Sequence, residues 1–480
     1  MDRVVRGEAE YAFPALLEHM EEGTPPTDVP GLCWWDGHGS RANTETRRTV
    51  APAGIPAPDY DQWQAALDAS PVQEYVHPKL VAEGARGCWW GEKHHCALCG
   101  FNGSAMAFRA KPGERLWQEI DRLVRRHRLL DVVTVDNIID MAYFRDLLPR
   151  VAESGWDLRL HYEVKSNLTP GQLRLLGESG TVHIQPGIES PGSRVLDLMD
   201  EGVTGARNVR TLRECENHAP TCSWNLLHGF PGETADDYTP VIDQLPALVH
   251  LQPPSGAHRI QLERFSPHFT DPALGFGKRC PAETYQRVHD LPEGELADLV
   301  YLFDTEDAGI RGPVEQRLRG APAAWRAGHA DSRLLFEESG EELLVVDRRH
   351  GRPPATHRFT GRRRPCASWR AAAAPPPCTG CWHNAAMTCR TGREAVGLLA
   401  AERPALVGGG WAVALPPRIR RRPVPCTAIR PAAQAGGSRC SHVPTRGSGR
   451  PGPVSASPAA GFRPAGAAVR TRRPGRSVPR

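Results

Sequence analysis

The sequence predicts an α/β fold built as a partial (β/α)6 barrel. Between residues 82 and 265, six short apolar segments alternate with six longer segments in which apolar residues recur every three or four positions. Six strand–helix units in series imply a parallel sheet with right-handed crossovers. We expect an open barrel rather than a doubly wound sheet, and both architectures place functional side chains at the carboxyl ends of the strands.

The predicted elements follow this alternation in chain order. Strands are expected over residues 81–88, 131–136, 158–164, 181–188, 222–230 and 259–265. Helices are expected over residues 113–130, 143–154, 169–178, 191–201, 208–217 and 233–248. The barrel therefore occupies residues 81–280, and the acidic residues 281–360 are predicted to be a C-terminal extension of the same body.

The flanking regions lack this alternation. Residues 1–24 contain the end of a strand, a glycine turn and one amphipathic helix, which is too little to bury a core alone. Residues 25–80 are rich in Pro and Gly and are predicted to be a linker. Residues 361–480 hold 21 Arg, no Lys, 2 acidic residues and 17 Pro, which predicts a disordered tail. Out-of-frame translation of GC-rich DNA would give the same composition.

The composition excludes several classes of protein. Hydrophobic residues make up 40% and charged residues 24% of the 480, as in a soluble globular protein. No apolar run approaches the ~18 residues of a membrane span, and the first residues lack a secretory signal, so we expect a cytoplasmic protein without a membrane partner. The first 360 residues carry 38 basic and 53 acidic side chains, which argues against a nucleic-acid partner.

The strongest chemical signal is the segment GCWWGEKHHCALCGFNG at residues 87–103. Cys88, Cys96 and Cys99 follow a C-x7-C-x2-C spacing directly after the first predicted strand. Three thiolates in one loop can hold an iron–sulfur cubane and leave one iron open for another ligand. Two alternatives stay open, which are a zinc site completed by His94 or His95 and ordinary reduced thiols with nothing bound.

This segment resembles the radical S-adenosylmethionine (SAM) superfamily, whose usual signature is C-x3-C-x2-C. Its longer form is similar to that of the cobalamin-associated radical SAM maturases of ribosomally made peptides, which are proposed peptide C-methyltransferases. Further segments carry the resemblance in order along residues 1–350, namely VDNIID (135–140), YEVKSNLT (162–169), IQPGIES (184–190), WNLLHGFPGETADDY (224–238) and RIQLERFSPHF (259–269).

The resemblance implies a cofactor set and an activity. Cys88, Cys96 and Cys99 would hold a [4Fe–4S] cluster, and SAM would be cleaved reductively to a 5′-deoxyadenosyl radical for C-methylation of a peptide. The implied partners are a precursor peptide and an electron donor such as a flavodoxin or ferredoxin. The alternatives are a cobalamin-independent peptide modification, such as epimerisation or crosslinking, and a zinc-stabilised binding module without catalytic activity.

The resemblance also implies cobalamin, which members of the family bind in a Rossmann-like domain before the cluster. Only about 80 residues precede Cys88 here, and residues 1–24 resemble the last strand and helix of that domain. We therefore expect a remnant of the cobalamin-binding domain, in which cobalamin would lack most of its site. SAM cleavage depends less on this region than methyl transfer does.

Three candidate SAM-binding residues lie between the last two cysteines or at the end of the second strand. The resemblance places Leu98 near the adenine, whereas an ordinary core position is the alternative. Asp136 and Asn137 end the second strand, where the family contacts the methionine amino group; a strand-end cap is the alternative for both.

Four more candidate residues lie at the ends of the third and fourth strands. Glu163 and Lys165 share one side of their strand by period-two alternation, which suits the ribose and carboxylate of SAM. A structural ion pair is the alternative. Gln185 and Glu189 flank a Pro-Gly-Ile segment where the resemblance implies an adenosine contact, and a plain turn is the alternative. No catalytic residue is assigned from the sequence.

Overall fold

A parallel sheet with helices between its strands forms the centre of the protein, as seen in a computed structural model. The structure describes residues 3–45, 49–103, 105–306, 308–339, 342–360, 405–408 and 411–414. The α/β class with a parallel sheet is confirmed.

The strands are β1 (Arg3–Val5), β2 (Leu32–Trp35), β3 (Ser40–Ala42), β4 (Leu80–Ala82), β5 (Ala85–Arg86), β6 (Arg109–Ala110), β7 (Asp131–Thr134), β8 (Arg159–Val164), β9 (Thr181–Pro186), β10 (Thr221–Cys222), β11 (Leu226–His228), β12 (Ala257–Arg259), β13 (Leu262–Glu263), β14 (Arg279–Pro281), β15 (Leu302–Thr305), β16 (Arg333–Ser339), β17 (Glu342–Arg348), β18 (Ala355–Thr360), β19 (Ala405–Gly408) and β20 (Trp411–Ala414). The helices are α1 (Ala9–Glu22), α2 (Asp61–Asp68), α3 (Gly113–His127), α4 (Tyr143–Asp146), α5 (Leu148–Glu153), α6 (Pro170–Glu178), α7 (Ser193–Leu198), α8 (Gly205–His218), α9 (Ala235–Gln244), α10 (Pro267–Thr270), α11 (Glu283–Gln286), α12 (Glu293–Leu299) and α13 (Gly312–His329).

The central sheet has the order β10-β9-β8-β7-β4, and every neighbouring pair in it is parallel. The next two strands, β11 and β12, form a parallel pair. A backbone hydrogen bond links this pair to the central sheet. The amide of Leu227 in β11 donates to the carbonyl of Glu189, which follows β9, at 2.9 Å. The strands therefore follow one another in chain order, as in the predicted partial barrel.

Three predicted strands are interrupted or end early. The expected strand 259–265 is divided between β12 and β13, and β13 pairs antiparallel with β15 instead of continuing the parallel sheet. The expected strand 222–230 is interrupted between β10 and β11, where the buried side chain of Trp224 packs into the core. The expected strand 81–88 ends at Ala82, because the chain turns at Gly84 and then pairs β5 with β6 in antiparallel fashion. A β-carbon at Gly84 would lie 2.6 Å from a carboxylate oxygen of Asp136, so this turn requires glycine.

The two faces of the central sheet differ in burial. In β8, Leu160, Tyr162 and Val164 are buried against the helices, whereas the alternate residues are half-buried or exposed. The same alternation runs through β7 and β9. We call the second side the open face of the sheet, and its residues include Val81, Val133, His161, Glu163, His183 and Gln185.

The helices cover the buried face with apolar stripes. In α3, Leu116, Ile120, Leu123 and Val124 are all buried, which is the i, i+4, i+7, i+8 pattern of an amphipathic helix. At the start of α6, Thr169 and the side chain of Gln172 form a capping box. No helix in the described residues is both long and apolar enough to cross a membrane.

A buried carboxyl group fixes the junction between β4 and β7. Asp136 is 1% exposed, and its Oδ1 accepts a hydrogen bond from the amide of Gly84 at 2.7 Å. The hydroxyl of Tyr143 donates to the carbonyl of the same glycine at 2.9 Å. Burial raises the pKa of Asp136 to about 7, against the opposing effect of backbone hydrogen bonds from Ala85 and Gly84.

The N-terminal region is more ordered than a linker. The strand and helix expected within residues 1–24 are present as β1 and α1, but β1 pairs antiparallel with β2, and β2 with β3, both from the predicted linker 25–80. Val29 and Leu32 are buried with Ala12 and Leu16 in a small separate core. The linker prediction missed these strands because each is only three or four residues long, too short to show a period.

The region after the barrel packs onto it. The side chains of Leu318 and Trp325 in α13 belong to the same core as the sheet, and the rings of Trp325 and Trp224 lie edge to face at 5.7 Å. β16, β17 and β18 form an antiparallel sheet. The predicted tail, 361–480, lies outside the described residues except for β19 and β20, which form an antiparallel hairpin.

Neighbouring valines in β7 test the difference between the two faces. We expect Val132→Ala to lower the free energy of unfolding by about 2 kcal/mol, because Val132 is 1% exposed in the core. Val133→Ala, the same change on the open face, should cost less than about 1 kcal/mol. Urea unfolding measures both, and equal losses would contradict an open face.

The buried Asp136 gives a pH-dependent prediction. Because its folded pKa lies above the unfolded value, the folded protein keeps a proton that the unfolded chain releases, so stability falls as pH rises from about 4 to about 7. Asp136→Asn removes this contribution. As pH rises from 5 to 8, the free energy of unfolding of the variant should increase by about 2.5 kcal/mol relative to that of the wild type, as measured by urea unfolding. Parallel pH profiles for the two proteins would show that Asp136 is not buried as described.

Candidate functional site

The three cysteines lie in one loop at the carboxyl edge of the sheet. This cysteine loop, residues 87–103, leaves β5 and returns toward β6. Its first residue, Gly87, has a φ of +77°, and a β-carbon there would overlap the carbonyl of Ala107, so only glycine fits. The amide of Cys88 donates to the carbonyl of Met106 at 3.2 Å, which closes the base of the loop.

The three thiols are neighbours in space. Cys88, Cys96 and Cys99 are all free and half-buried, and the amide of Gly91 donates to the sulfur of Cys88 at 3.3 Å. Burial raises the pKa of Cys99 to about 11, and the nearby Cys88 adds to this effect. Burial also raises the pKa of the Cys96 thiol, with a contribution from Cys99.

A buried ion pair lies beside the cysteines. Lys165, which directly follows β8, is 6% exposed and forms a salt bridge with Glu201, whose carboxylate is also buried. Glu201 also lies close enough to Cys96 to raise the pKa of its thiol. The ammonium group of Lys165 lies 4.6 Å from the ring centre of Trp90, within the cysteine loop.

Glu189 adds a second carboxyl group to this cluster. It follows β9, is half-buried and has a φ of +52°, a left-handed conformation that residues with side chains rarely adopt. Burial raises the pKa of Glu189 to about 8; the carboxylate of Glu201 raises it further, whereas Lys165 lowers it. The predicted residues Lys165 and Glu189 therefore share one electrostatic environment with Glu201.

Glu163 and Gln185 lie together on the open face. They are paired neighbours in the register of β8 and β9, and both are exposed. Although Glu163 is exposed, the neighbouring atoms displace part of the water around its carboxyl group, and this desolvation raises its pKa. The predicted side-by-side pair of Glu163 and Lys165 is not what forms, since Lys165 lies beyond the last residue of β8 and pairs with Glu201 instead.

The other predicted residues lie around the loop in different roles. Asp136 is turned toward the backbone of Gly84, as described above, which agrees with the strand-end alternative. Asn137 is exposed and donates to the side chain of Asn102, in the cysteine loop, at 2.7 Å. Leu98 is half-buried and packs against the main core.

Sequence reasoning missed two carboxylates that contact the cysteine loop. Glu201 was not singled out, although a buried Lys165 requires an anionic partner. Glu263 accepts from the amide of Gly100 at 2.8 Å and from the hydroxyl of Tyr301 at 3.1 Å. No spacing in the sequence connects either residue to the cysteines, because both contacts depend on the folded chain.

The donor set of the cysteine loop fits an iron–sulfur cluster. Within the described residues, no group of three or more Cys, His, Asp or Glu side chains converges on the position of a single metal ion. Each of the three thiols of the loop can bind a different iron of a [4Fe–4S] cubane, which leaves the fourth iron for another ligand.

The charges beside the thiols suit a small zwitterionic ligand. The ammonium group of Lys165 can pair with a carboxylate, and carboxyl oxygens of Glu189 and Glu201 can accept hydrogen bonds from an amino group. Glu163 and Gln185 offer acceptors and donors for hydroxyl groups on the adjoining open face.

Comparison with known proteins gives one family and several distant relatives. Residues 84–245 match the model of the Radical SAM superfamily. An uncharacterized methyltransferase of Pyrococcus horikoshii, PH0819, is 23% identical over 248 residues, which are 49% of this chain and 51% of that protein. The ribosomal protein uS12 methylthiotransferase RimO of Alkalilimnicola ehrlichii is 25% identical over 218 residues, which are 41% of this chain and 48% of that protein. The chain thus spans about half the length of the curated relatives it matches.

Two solved structures are similar over part of the fold. The radical SAM methyltransferase TsrM from Kitasatospora setae, with cobalamin and a [4Fe–4S] cluster bound, gives a TM-score of 0.44 at 17% identity, covering 56% of this chain and 54% of that chain. The cobalamin-dependent SAM radical enzyme OxsB gives 0.42 at 15% identity, covering 52% and 36%. The matched residues, 84–245, contain the cysteine loop together with Lys165, Glu189 and Glu201, and are thus similar to the radical SAM domains, which use a [4Fe–4S] cluster and SAM.

Proposed function

We propose that this chain is a cytoplasmic radical SAM enzyme of ribosomal peptide natural-product maturation, which cleaves SAM reductively and methylates a carbon of a peptide. The observation that carries the proposal is the position of three free, neighbouring cysteines beside Lys165 and Glu201 at the carboxyl edge of a parallel sheet. That edge is where α/β folds bind their ligands.

Cys88, Cys96 and Cys99 would hold the [4Fe–4S] cluster and leave one iron for SAM. When bound, the cluster supplies the electron for reductive cleavage of SAM. The chain itself closes the base of the loop through the hydrogen bond from the amide of Cys88 to the carbonyl of Met106. The positive charge of Lys165 lowers the pKa of the Cys96 thiol and so favours the thiolate that binds iron, against the effects of burial and of Glu201.

The side chains around the cysteines would orient SAM. Lys165 is held between Glu201 and the ring of Trp90, so its ammonium group has a defined direction in which to meet a carboxylate. Glu189 and Glu201 would accept from the amino group. Lys165 and Glu201 are buried and Glu189 is half-buried, which limits access by water and protects a reactive intermediate from side reactions.

Methyl transfer to a peptide is the finer part of the proposal. It is supported by the names of the curated relatives, a methyltransferase and a methylthiotransferase, and by the resemblance of the cysteine loop to peptide maturases. The open face could accept an extended peptide, and a flavodoxin or ferredoxin would supply the electron. Absorption titration with methylcobalamin tests whether this chain binds the methyl carrier; no spectral change up to millimolar cobalamin would favour a modification without cobalamin.

Replacement of one loop cysteine tests the core of the proposal. After anaerobic reconstitution with iron and sulfide, the wild type should form 5′-deoxyadenosine from SAM and dithionite. Cys96→Ala should lower that product by about a hundredfold or more, because the cluster loses one of three protein ligands. Chromatography measures the product, and iron and sulfide assays measure the cluster.

Cys33→Ala is the matched control, since Cys33 is also a free, half-buried cysteine but lies in β2. It should keep wild-type iron, sulfide and product. Bound zinc without sulfide in the wild type would sink the proposal in favour of a zinc-stabilised binding module.

A further inference from the structure

Glu189 is held in an unfavourable backbone conformation. Its φ of +52° places a long, charged side chain in the left-handed region that glycine and asparagine usually occupy. Such outliers persist where the surrounding structure holds them, and they occur often at functional sites. The carboxyl group of Glu189 lies near Lys165 and Glu201, so the backbone conformation sets a position within the candidate site.

One side chain, Asn208 in α8, bonds the backbone on both sides of Glu189. Asn208 is fully buried, and its amide group donates to the carbonyls of Ile188 at 2.6 Å and Ser190 at 2.8 Å. Two carbonyls turned toward one point need a group with two N–H donors, which an asparagine amide supplies and an aspartate cannot.

The same asparagine reaches the loop that follows Lys165. Its side-chain oxygen accepts a hydrogen bond from the hydroxyl of Ser166, which is also fully buried. The side chains of Asn208 and Ser166 are therefore both inside the protein, where a polar group without a hydrogen-bond partner lowers the stability of the fold. Asn208 therefore links the segments that carry Lys165 and Glu189.

The first turn of α8 is packed directly against the segment after Glu189. A β-carbon at Gly205 would overlap the carbonyl of Pro191, so the helix approaches as closely as only glycine permits. This contact fixes the distance between α8 and the 188–191 segment. It allows the short side chain of Asn208 to reach both carbonyls.

We propose that Asn208 is a positioning residue that holds Glu189 in its left-handed conformation and thereby places the Glu189 carboxyl group beside Lys165 and Glu201. The inference rests on the proposed function for its consequence, which is the binding of SAM by these charges. We call the two hydrogen bonds from Asn208 to the carbonyls of Ile188 and Ser190 the clamp. The clamp is a property of the folded chain and can be measured without any cofactor.

Hydrogen–deuterium exchange of the full chain tests the clamp. In Asn208→Ala, peptides that cover residues 187–192 and 225–229 should exchange at least about tenfold faster, because the amide of Leu227 bonds the carbonyl of Glu189. Thr211→Val is the matched control, since Thr211 lies one turn along α8, is equally buried and donates to the carbonyl of Ser166 at 2.9 Å instead. It should leave residues 187–192 unchanged.

Unchanged exchange at residues 187–192 in Asn208→Ala would overturn the clamp. If that variant does not fold, Asn208→Asp keeps the size of the side chain and removes the N–H donors, and the same exchange pattern is expected from it. A uniform increase over the whole chain, equal in Asn208→Asp and Thr211→Val, would also overturn the proposal, because it would indicate only general destabilisation.

A double-mutant cycle tests the consequence for SAM. In reconstituted protein that forms 5′-deoxyadenosine, Asn208→Ala should raise the KM for SAM about tenfold and leave kcat within about threefold of the wild type. In a Glu189→Gln background the same change should have no further effect on KM, since the carboxylate to be positioned is gone. Additive effects on KM would contradict action through Glu189.

The two proposals fail separately. If the wild type forms no 5′-deoxyadenosine, the proposed function fails while the exchange experiment still decides whether the clamp exists. If the wild type cleaves SAM and Asn208→Ala leaves both KM and local exchange unchanged, only the role of Asn208 is refuted.

Discussion

The burial of one ammonium group, that of Lys165, constrains the carboxyl edge of the sheet. A buried cation is strongly unfavourable unless it is paired, and Glu201 supplies the pair. Glu201 lies in the segment after α7, and the ammonium group that it pairs with also lies over Trp90 of the cysteine loop, so compensation of the lysine charge holds that segment beside the loop. Trp90 covers the same ammonium group and lies so close to Gly202 that a side chain there would overlap its ring. Loop, lysine and carboxylate are therefore one packed unit.

The unequal faces of the sheet explain why polar chemistry concentrates at this edge. The helices bury one side completely, with Leu160 and Ile184 fully inaccessible, and this side supplies the apolar burial that stabilises the fold. The open face is then free to carry His161, Glu163 and Gln185 without the cost of burying unpaired polar groups. Ligand-binding groups can occupy it because stability comes from the other side.

The sequence predicted the parts of the molecule that depend on local pattern. Alternation of apolar segments predicted the positions of the strands and helices of the barrel, although several of them are shorter or divided, and the spacing of Cys88, Cys96 and Cys99 singled out the loop. The partners of that loop could not be predicted. Glu201 pairs with Lys165, 36 positions earlier in the chain, and Asn208 bonds Ile188, 20 positions earlier. Contacts between such distant positions leave no periodic signal in the sequence. The strands within residues 25–80 were missed because they are too short for any period.

The ends of neighbouring strands show why position alone does not assign a role. Asp136 and Glu189 both follow strands of one parallel sheet, and both have pKa values raised by burial. Asp136 accepts a backbone amide from Gly84 and so fixes the chain entering the cysteine loop. The left-handed backbone at Glu189 instead leaves its carboxyl group among charged side chains. The rule that functional residues lie at strand ends selects Asp136 and Glu189 equally. What distinguishes them is the left-handed backbone at Glu189, held by Asn208 of α8, which leaves the Glu189 carboxyl group available to a ligand.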